Sequence, residues 1–105
     1  MDNQAKQYEV VISDRASVML VQHIRFVAQV SPEAAEKLRL QIIKAIRSLE
    51  IFPLRCSWFT ADMIPQNKYR KLPVGKRYLV IYQIRDNVVY VDYILDCRQD
   101  YQWLL

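Results

Sequence analysis

The stretch from Tyr69 to Tyr101, YRKLPVGKRYLVIYQIRDNVVYVDYILDCRQDY, leaves few folds open to this chain. Its middle, Tyr78 to Ile84, is dense in aromatic and β-branched residues, which suit a pleated, half-buried surface. Arg85-Asp86-Asn87 interrupts the apolar run. Asp and Asn tolerate turn conformations and bond their own backbone, so the interruption reads as a hairpin reversal. Val88 to Asp96 resumes the strand signal, and a shorter run, Lys68 to Val74, precedes it, closed by Pro73 and by Gly75, the single glycine. The reading is three antiparallel strands in succession. The second and third are apolar on both faces, so a sheet standing alone in water is excluded and the first half of the chain must cover it.

That half carries the pattern required. Tyr8-Glu9-Val10-Val11-Ile12 is a short strand candidate. Ser13 or Asp14 then caps a helix through a side-chain oxygen. Ala16, Met19, Leu20, His23, Ile24, Val27 and Val30 recur at three-to-four spacing as one apolar stripe, which places the helix end near Val30. His23, the single histidine, falls on that stripe and reads as packing rather than as a ligand. Ser31-Pro32-Glu33 opens a second helix, with a good N-cap, a proline where the amide has no helical partner, and a carboxylate near the positive helix end. Ala35, Leu38, Ile42, Ala45, Ile46 and Leu49 form its core face, and Pro53 ends it. The short connection implies an antiparallel helical hairpin. Residues 53–67 show no period and read as a loop pinned by Trp58, with room for one bent strand. The tail after Asp96 is expected to fold Trp103, Leu104 and Leu105 back onto the body. The expectation is a single α+β domain over residues 1–105, in the order β-α-α-β-β-β. The helical hairpin covers one face of an antiparallel sheet of about four strands, and the other face carries the remaining aromatic and basic groups.

Composition removes several classes of function. With 105 residues the chain can build one core. Two distant cysteines, Cys56 and Cys97, form neither a disulfide framework nor a zinc motif, and they suit a reduced, cytoplasmic setting. MDNQAKQ is polar, unlike a signal peptide, and no apolar stretch reaches the ~20 residues of a membrane span. No metal or cofactor is expected. The net charge of +4 points to an anionic partner. The excess lies in the strand-rich half, where Arg55, Lys68, Arg70, Lys71, Lys76, Arg77, Arg85 and Arg98 face only Asp62, Asp86, Asp92 and Asp96.

The element order, with these residues, resembles the RelE/ParE superfamily of toxins from bacterial type II toxin–antitoxin modules. YEVVISDRA at 8–16 is similar to the family's first strand and helix entry. SPEAAEKLRLQIIKAIRSLEIFP at 31–53 is similar to its second helix. YRKL at 69–72 and KRYLVIYQIRDNVVYVDYILDCRQDY at 76–101 are similar to its central hairpin and last strand. The resemblance implies growth inhibition by a toxin that a cognate antitoxin neutralises, in modules associated with plasmid stabilisation. In the RelE branch the toxin enters the ribosome and cleaves mRNA as an endoribonuclease. In the ParE branch it inhibits DNA gyrase by protein–protein contact. A third possibility is a degenerate member that binds antitoxin without toxicity. The retained residues described next favour ribosome-dependent mRNA cleavage, with gyrase inhibition as the alternative.

RNA cleavage needs a base for the 2′-hydroxyl, a cation for the crowded phosphate and an acid for the leaving oxygen. Arg70 stands where the family has an arginine on the first hairpin strand, and Arg98 matches one just after the last strand. The resemblance implies that both hold phosphate and stabilise its transition state. Tyr101 matches the tyrosine of RelE members that end Arg-x-His-Tyr, and there it would orient the reacting groups. Asp100 stands where those members have the histidine, and with an ordinary pKa of about 3.9 an aspartate is a poorer proton shuttle. Lys68, Lys71, Lys76 and Arg77 are candidates for holding an RNA backbone, or equally an acidic antitoxin segment. Trp58 and Tyr69 are candidates for base stacking, although a large loop aromatic more often packs.

Overall fold

The computed structural model describes residues 7–62 and 64–97. The elements run β1 (Glu9–Ile12), α1 (Asp14–Ala28), α2 (Pro32–Arg47), β2 (Trp58–Phe59), β3 (Tyr69–Val74), β4 (Tyr78–Arg85) and β5 (Val88–Asp96). Two 3₁₀ turns, Ser48–Glu50 and Pro53–Arg55, link α2 to β2. Both helices begin at their expected caps. The Ser13 hydroxyl accepts from the Ala16 amide at 3.0 Å, and the Ser31 hydroxyl accepts from the Ala34 amide at 3.1 Å.

The architecture is two helices on one sheet, as expected, but the sheet has five strands in the order β1-β5-β4-β3-β2 and is mixed. Strands β2 through β5 pair antiparallel, because short connections leave no other option. Edge strand β1 pairs parallel with β5, from Glu9 beside Val88 to Ile12 beside Val91. It joins the rest only through the helical hairpin, so no tight turn dictates its direction. Strand β2 is two residues long, too short to give an alternating signal.

The apolar stripes of both helices are buried as the spacing required: Ala16, Met19 and His23 from α1, and Ala35, Leu38, Ile42 and Ile46 from α2. His23 donates from Nε2 to the Ile94 carbonyl at 2.7 Å and packs its ring against Tyr78. That contact identifies the face of β4 carrying Tyr78, Val80, Tyr82 and Ile84 as the helix side. Ile81 and Leu95 point to the opposite side and are also fully buried, so that side is not open sheet. Val30 lies beyond α1 and is 87% exposed, so the stripe stops before it.

Helix α2 ends at Arg47, well before Pro53. The Ser48 hydroxyl turns back to the Ala45 carbonyl and competes with helical continuation. Arg55 then reaches over the frayed end. Its Nη1 donates to the Ile51 and Phe52 carbonyls at 3.2 and 3.1 Å, and its Nη2 donates to the Ser48 hydroxyl at 2.8 Å. Between these anchors Phe52 adopts left-handed backbone angles, φ 57 and ψ 49.

Candidate functional site

The two central strands bring together two polar constellations on opposite sides of the sheet. The first surrounds Arg70. In register, Trp58 of β2, Arg70 of β3 and Tyr82 of β4 lie side by side on the helix side. The Arg70 guanidinium stacks 3.9 Å from the centroid of the Trp58 ring. Its Nη1 donates to the Cys56 carbonyl at 2.6 Å and, more weakly, to the Leu54 carbonyl at 3.4 Å. Every one of these partners is neutral, so the arginine is held in place with its charge intact. Fully buried Tyr82 donates to the Pro53 carbonyl at 2.6 Å, which ties the Pro53–Arg55 turn to the sheet. Burial, and then the neighbouring Cys56, push the Tyr82 hydroxyl far above the ordinary tyrosine range, so it keeps its proton.

Arg70 lines a cleft of about 360 Å³ together with Tyr8, Trp58, Asn67, Lys68 and Asp86. Tyr8 and Leu54 also border a neighbouring apolar cleft of about 490 Å³, completed by Phe52 and Arg55. The first cleft is shaped by turns with special backbone. Asn67 and Asp86 both have positive φ, 61 and 57, which Asn and Asp tolerate better than other side chains. Asp86 occupies the β4–β5 reversal marked by Arg85-Asp86-Asn87 in the sequence.

The second constellation lies on the far side. The register slips between Ile81 and Tyr82, so Asp92 is an extra residue on β5 that shares a face with Tyr93. The Asp92 carboxylate accepts from the Tyr69 hydroxyl at 3.0 Å and from Gln83 Nε2 at 2.8 Å. Tyr69 meets Tyr93 edge-on, and the Arg15 guanidinium lies 4.7 Å from the Tyr93 ring centroid. Burial, reinforced by the Asp92 carboxylate, pushes the Tyr69 hydroxyl up to about 12. Sequence reasoning passed over Asp92 and Arg15. The signal for Asp92 was one carboxylate inside an otherwise apolar strand, VVYVDYIL.

The remaining candidates do not form one patch. Lys71 alternates with Arg70 and therefore faces the other side of β3. Lys68 packs its ammonium 5.2 Å from the Tyr69 ring centroid and lines the Arg70 cleft. Lys76 and Arg77 lie in the β3–β4 turn, beyond Val74, and Val74 is about 13 Å along the strand from Arg70. Arg77 is bound to Asp96, with Nη2 at 3.1 Å and Nε at 3.2 Å from one carboxylate oxygen. Arg70 thus sits on the helix side of the sheet, not on the opposite face as the sequence suggested. Arg98, Asp100 and Tyr101 lie outside the described residues. Among the described residues, no three His, Cys, Asp or Glu side chains gather as metal ligands would, and no helix is long and apolar enough to cross a membrane.

With this geometry in hand, comparison with known proteins is decisive at the family level. The family described as ParE toxin of type II toxin-antitoxin system, parDE, matches residues 10–101. The chain belongs to the ParE toxin family. Among solved structures, this ParE-family chain is similar to one titled "Chromosomal ParDE TA system from P. aeruginosa", with a TM-score of 0.71 at 13% identity. The match covers 88% of this chain and 98% of the other, and at that identity it speaks for the fold. No curated protein sequence matches. Family membership makes this ParE-type chain the toxin of a toxin–antitoxin pair and implies an antitoxin partner.

Proposed function

We propose that this ParE-family toxin acts by protein–protein contact on DNA gyrase, rather than by cutting mRNA. The observation that carries the reading is the environment of Arg70. The guanidinium is stacked on Trp58 and bonded to the Cys56 carbonyl. The adjacent Tyr82 is locked in a proton-retaining bond to Pro53. Cleavage chemistry needs a group there that exchanges protons near neutral pH. Among the described residues, Asp86 is the carboxylate that lines this cleft; Arg98, Asp100 and Tyr101 lie outside the described residues. The same surface suits binding well, since rigid turns present aromatic and aliphatic side chains beside fixed positive charge. Membership of the ParE family supports the gyrase target, because the ParE branch of the superfamily is the gyrase-inhibiting one.

The test uses purified toxin with gyrase and supercoiled plasmid. The expected result is accumulation of gyrase–DNA cleavage complexes, read as linear DNA after detergent and protease, while mRNA in a translating extract stays intact. New mRNA ends inside translated codons, with gyrase unaffected, would overturn it. The endoribonuclease reading keeps one specific support: Lys68 and Arg70 share a cleft with the stacking surface of Trp58.

A further inference from the structure

The connection after α2 leaves several large apolar side chains exposed. Phe52 is 63% exposed and Leu54 is 60% exposed, with Ile51 and Trp58 beside them in sequence. Scattered exposed apolar residues are ordinary, but these lie within eight positions, and Phe52, Leu54 and Trp58 border two adjoining clefts that share Tyr8 and Leu54. The backbone holds them there under strain. Phe52 is in the left-handed region, which is costly for a bulky side chain. Pro53 behind it is buried, its carbonyl is bonded to Tyr82, and Arg55 clamps the Ile51 and Phe52 carbonyls. The shelf is therefore preorganised, and presenting Phe52 and Leu54 outward does nothing for the monomer's own core.

We infer that this shelf, with the cationic cleft beside it, is a docking site for an acidic antitoxin segment that carries a bulky apolar anchor. The apolar side chain of the segment enters the cleft between Phe52, Leu54 and Tyr8. A flanking carboxylate meets Arg70 and Lys68, whose charges are not cancelled by the groups that hold them. Charge complementarity selects the occupant. The toxin carries a net +4, and the two cations at the rim outnumber the single carboxylate, Asp86. The inference rests on family membership, which supplies the antitoxin, and it concerns the surface that the proposed function also offers to gyrase.

The experiment uses the full-length toxin and the purified product of the adjacent antitoxin gene, together with overlapping synthetic peptides that tile it. Binding is measured by calorimetry and by Trp58-sensitive fluorescence at several salt concentrations. Phe52→Gly is the informative variant, because glycine relieves the strained backbone while removing the ring. Its melting temperature is expected to equal or exceed that of the parent, while affinity for the antitoxin falls at least tenfold. Leu54→Ser is expected to fall similarly. One peptide containing an apolar residue next to Asp or Glu should bind the parent, with affinity that declines as salt rises and declines further in Lys68→Glu. Antitoxin affinity within twofold of the parent in folded Phe52→Gly and Leu54→Ser overturns the inference. So does loss of growth arrest with antitoxin binding unchanged, which assigns the shelf to the cellular target. Loss of self-association in the same variants with antitoxin binding unchanged assigns it to a second copy, and that also overturns it.

Discussion

Arg77 and Arg70 sit toward opposite ends of the β3–β4 pair and are held in opposite ways. Arg77 faces a carboxylate, Asp96, that is almost fully buried, and its charge is cancelled there. Arg70 is held by two carbonyls and the face of an indole, all neutral. The first arrangement welds the hairpin turn to the end of β5. The second displays a positive charge at fixed position and orientation. An arginine bound to an acid belongs to the scaffold, whereas one bound by neutral groups remains able to meet an anion from outside.

The comparison breaks first, and with the largest effect, at Arg77. Replacing it by Met keeps the apolar stem but takes the Arg77 cation away from a buried carboxylate. The cost is expected to be about 3 kcal/mol, the low end for breaking a buried pair. For a chain of this size that lowers the melting temperature on the order of 10 °C. Asp96→Asn in the same chain should restore most of the loss, which a double-mutant cycle measures. A single variant as stable as the parent would show that Arg77 is no more fixed in role than Arg70.

The far-side network gives an intermediate effect with a pH signature. Folding raises the Tyr69 hydroxyl to about 12, from about 10 for a free tyrosine. The folded state therefore binds that proton more tightly. Its contribution is whole below pH 10 and is lost as pH rises toward 12. Tyr82 shifts in the same direction and steepens the fall. Denaturant unfolding across this range should show a shallower decline in Tyr69→Phe than in the parent. Asp92→Asn, which removes the charge that Tyr69 and Gln83 address, should cost about 1–2 kcal/mol at neutral pH by the same assay.

Much of the scaffold was legible because local chemistry and global fold agree. Ser13 and Ser31-Pro32 cap where caps were expected, and the reversal falls at Asp86-Asn87. The parallel placement of β1 was not legible, since a short edge strand carries no signal for direction. The side that Arg70 faces was not legible either. Alternation places Arg70 and Lys71 on opposite sides, but which side the helices cover is set by tertiary packing such as that of His23 on Tyr78, which no local signal reveals. The strain at Phe52 has no sequence signature at all, because Pro53 restricts its neighbour toward extended geometry and the chain departs from that preference. The candidate site is thus least predictable where tertiary contacts, rather than propensities, set the backbone.

The smallest effect on stability is expected at Arg70, and it separates the two readings of function most cleanly. Arg70→Ala removes one stacking contact and carbonyl bonds at a partly exposed site, a loss of about 1 kcal/mol. Arg70→Lys keeps the charge but not the planar stack or the fork. If the residue stabilises a phosphate transition state, both variants should lose orders of magnitude in mRNA cleavage while remaining folded. If it displays a charge for a protein partner, Lys should retain most of the binding to an acidic segment and Ala should lose it, with a weaker dependence on salt. Growth arrest, partner affinity and melting temperature measured on the same three proteins decide between these patterns. A Lys variant that behaves like the parent places Arg70 in an interface, because a point charge then suffices and the geometry of the guanidinium does not matter.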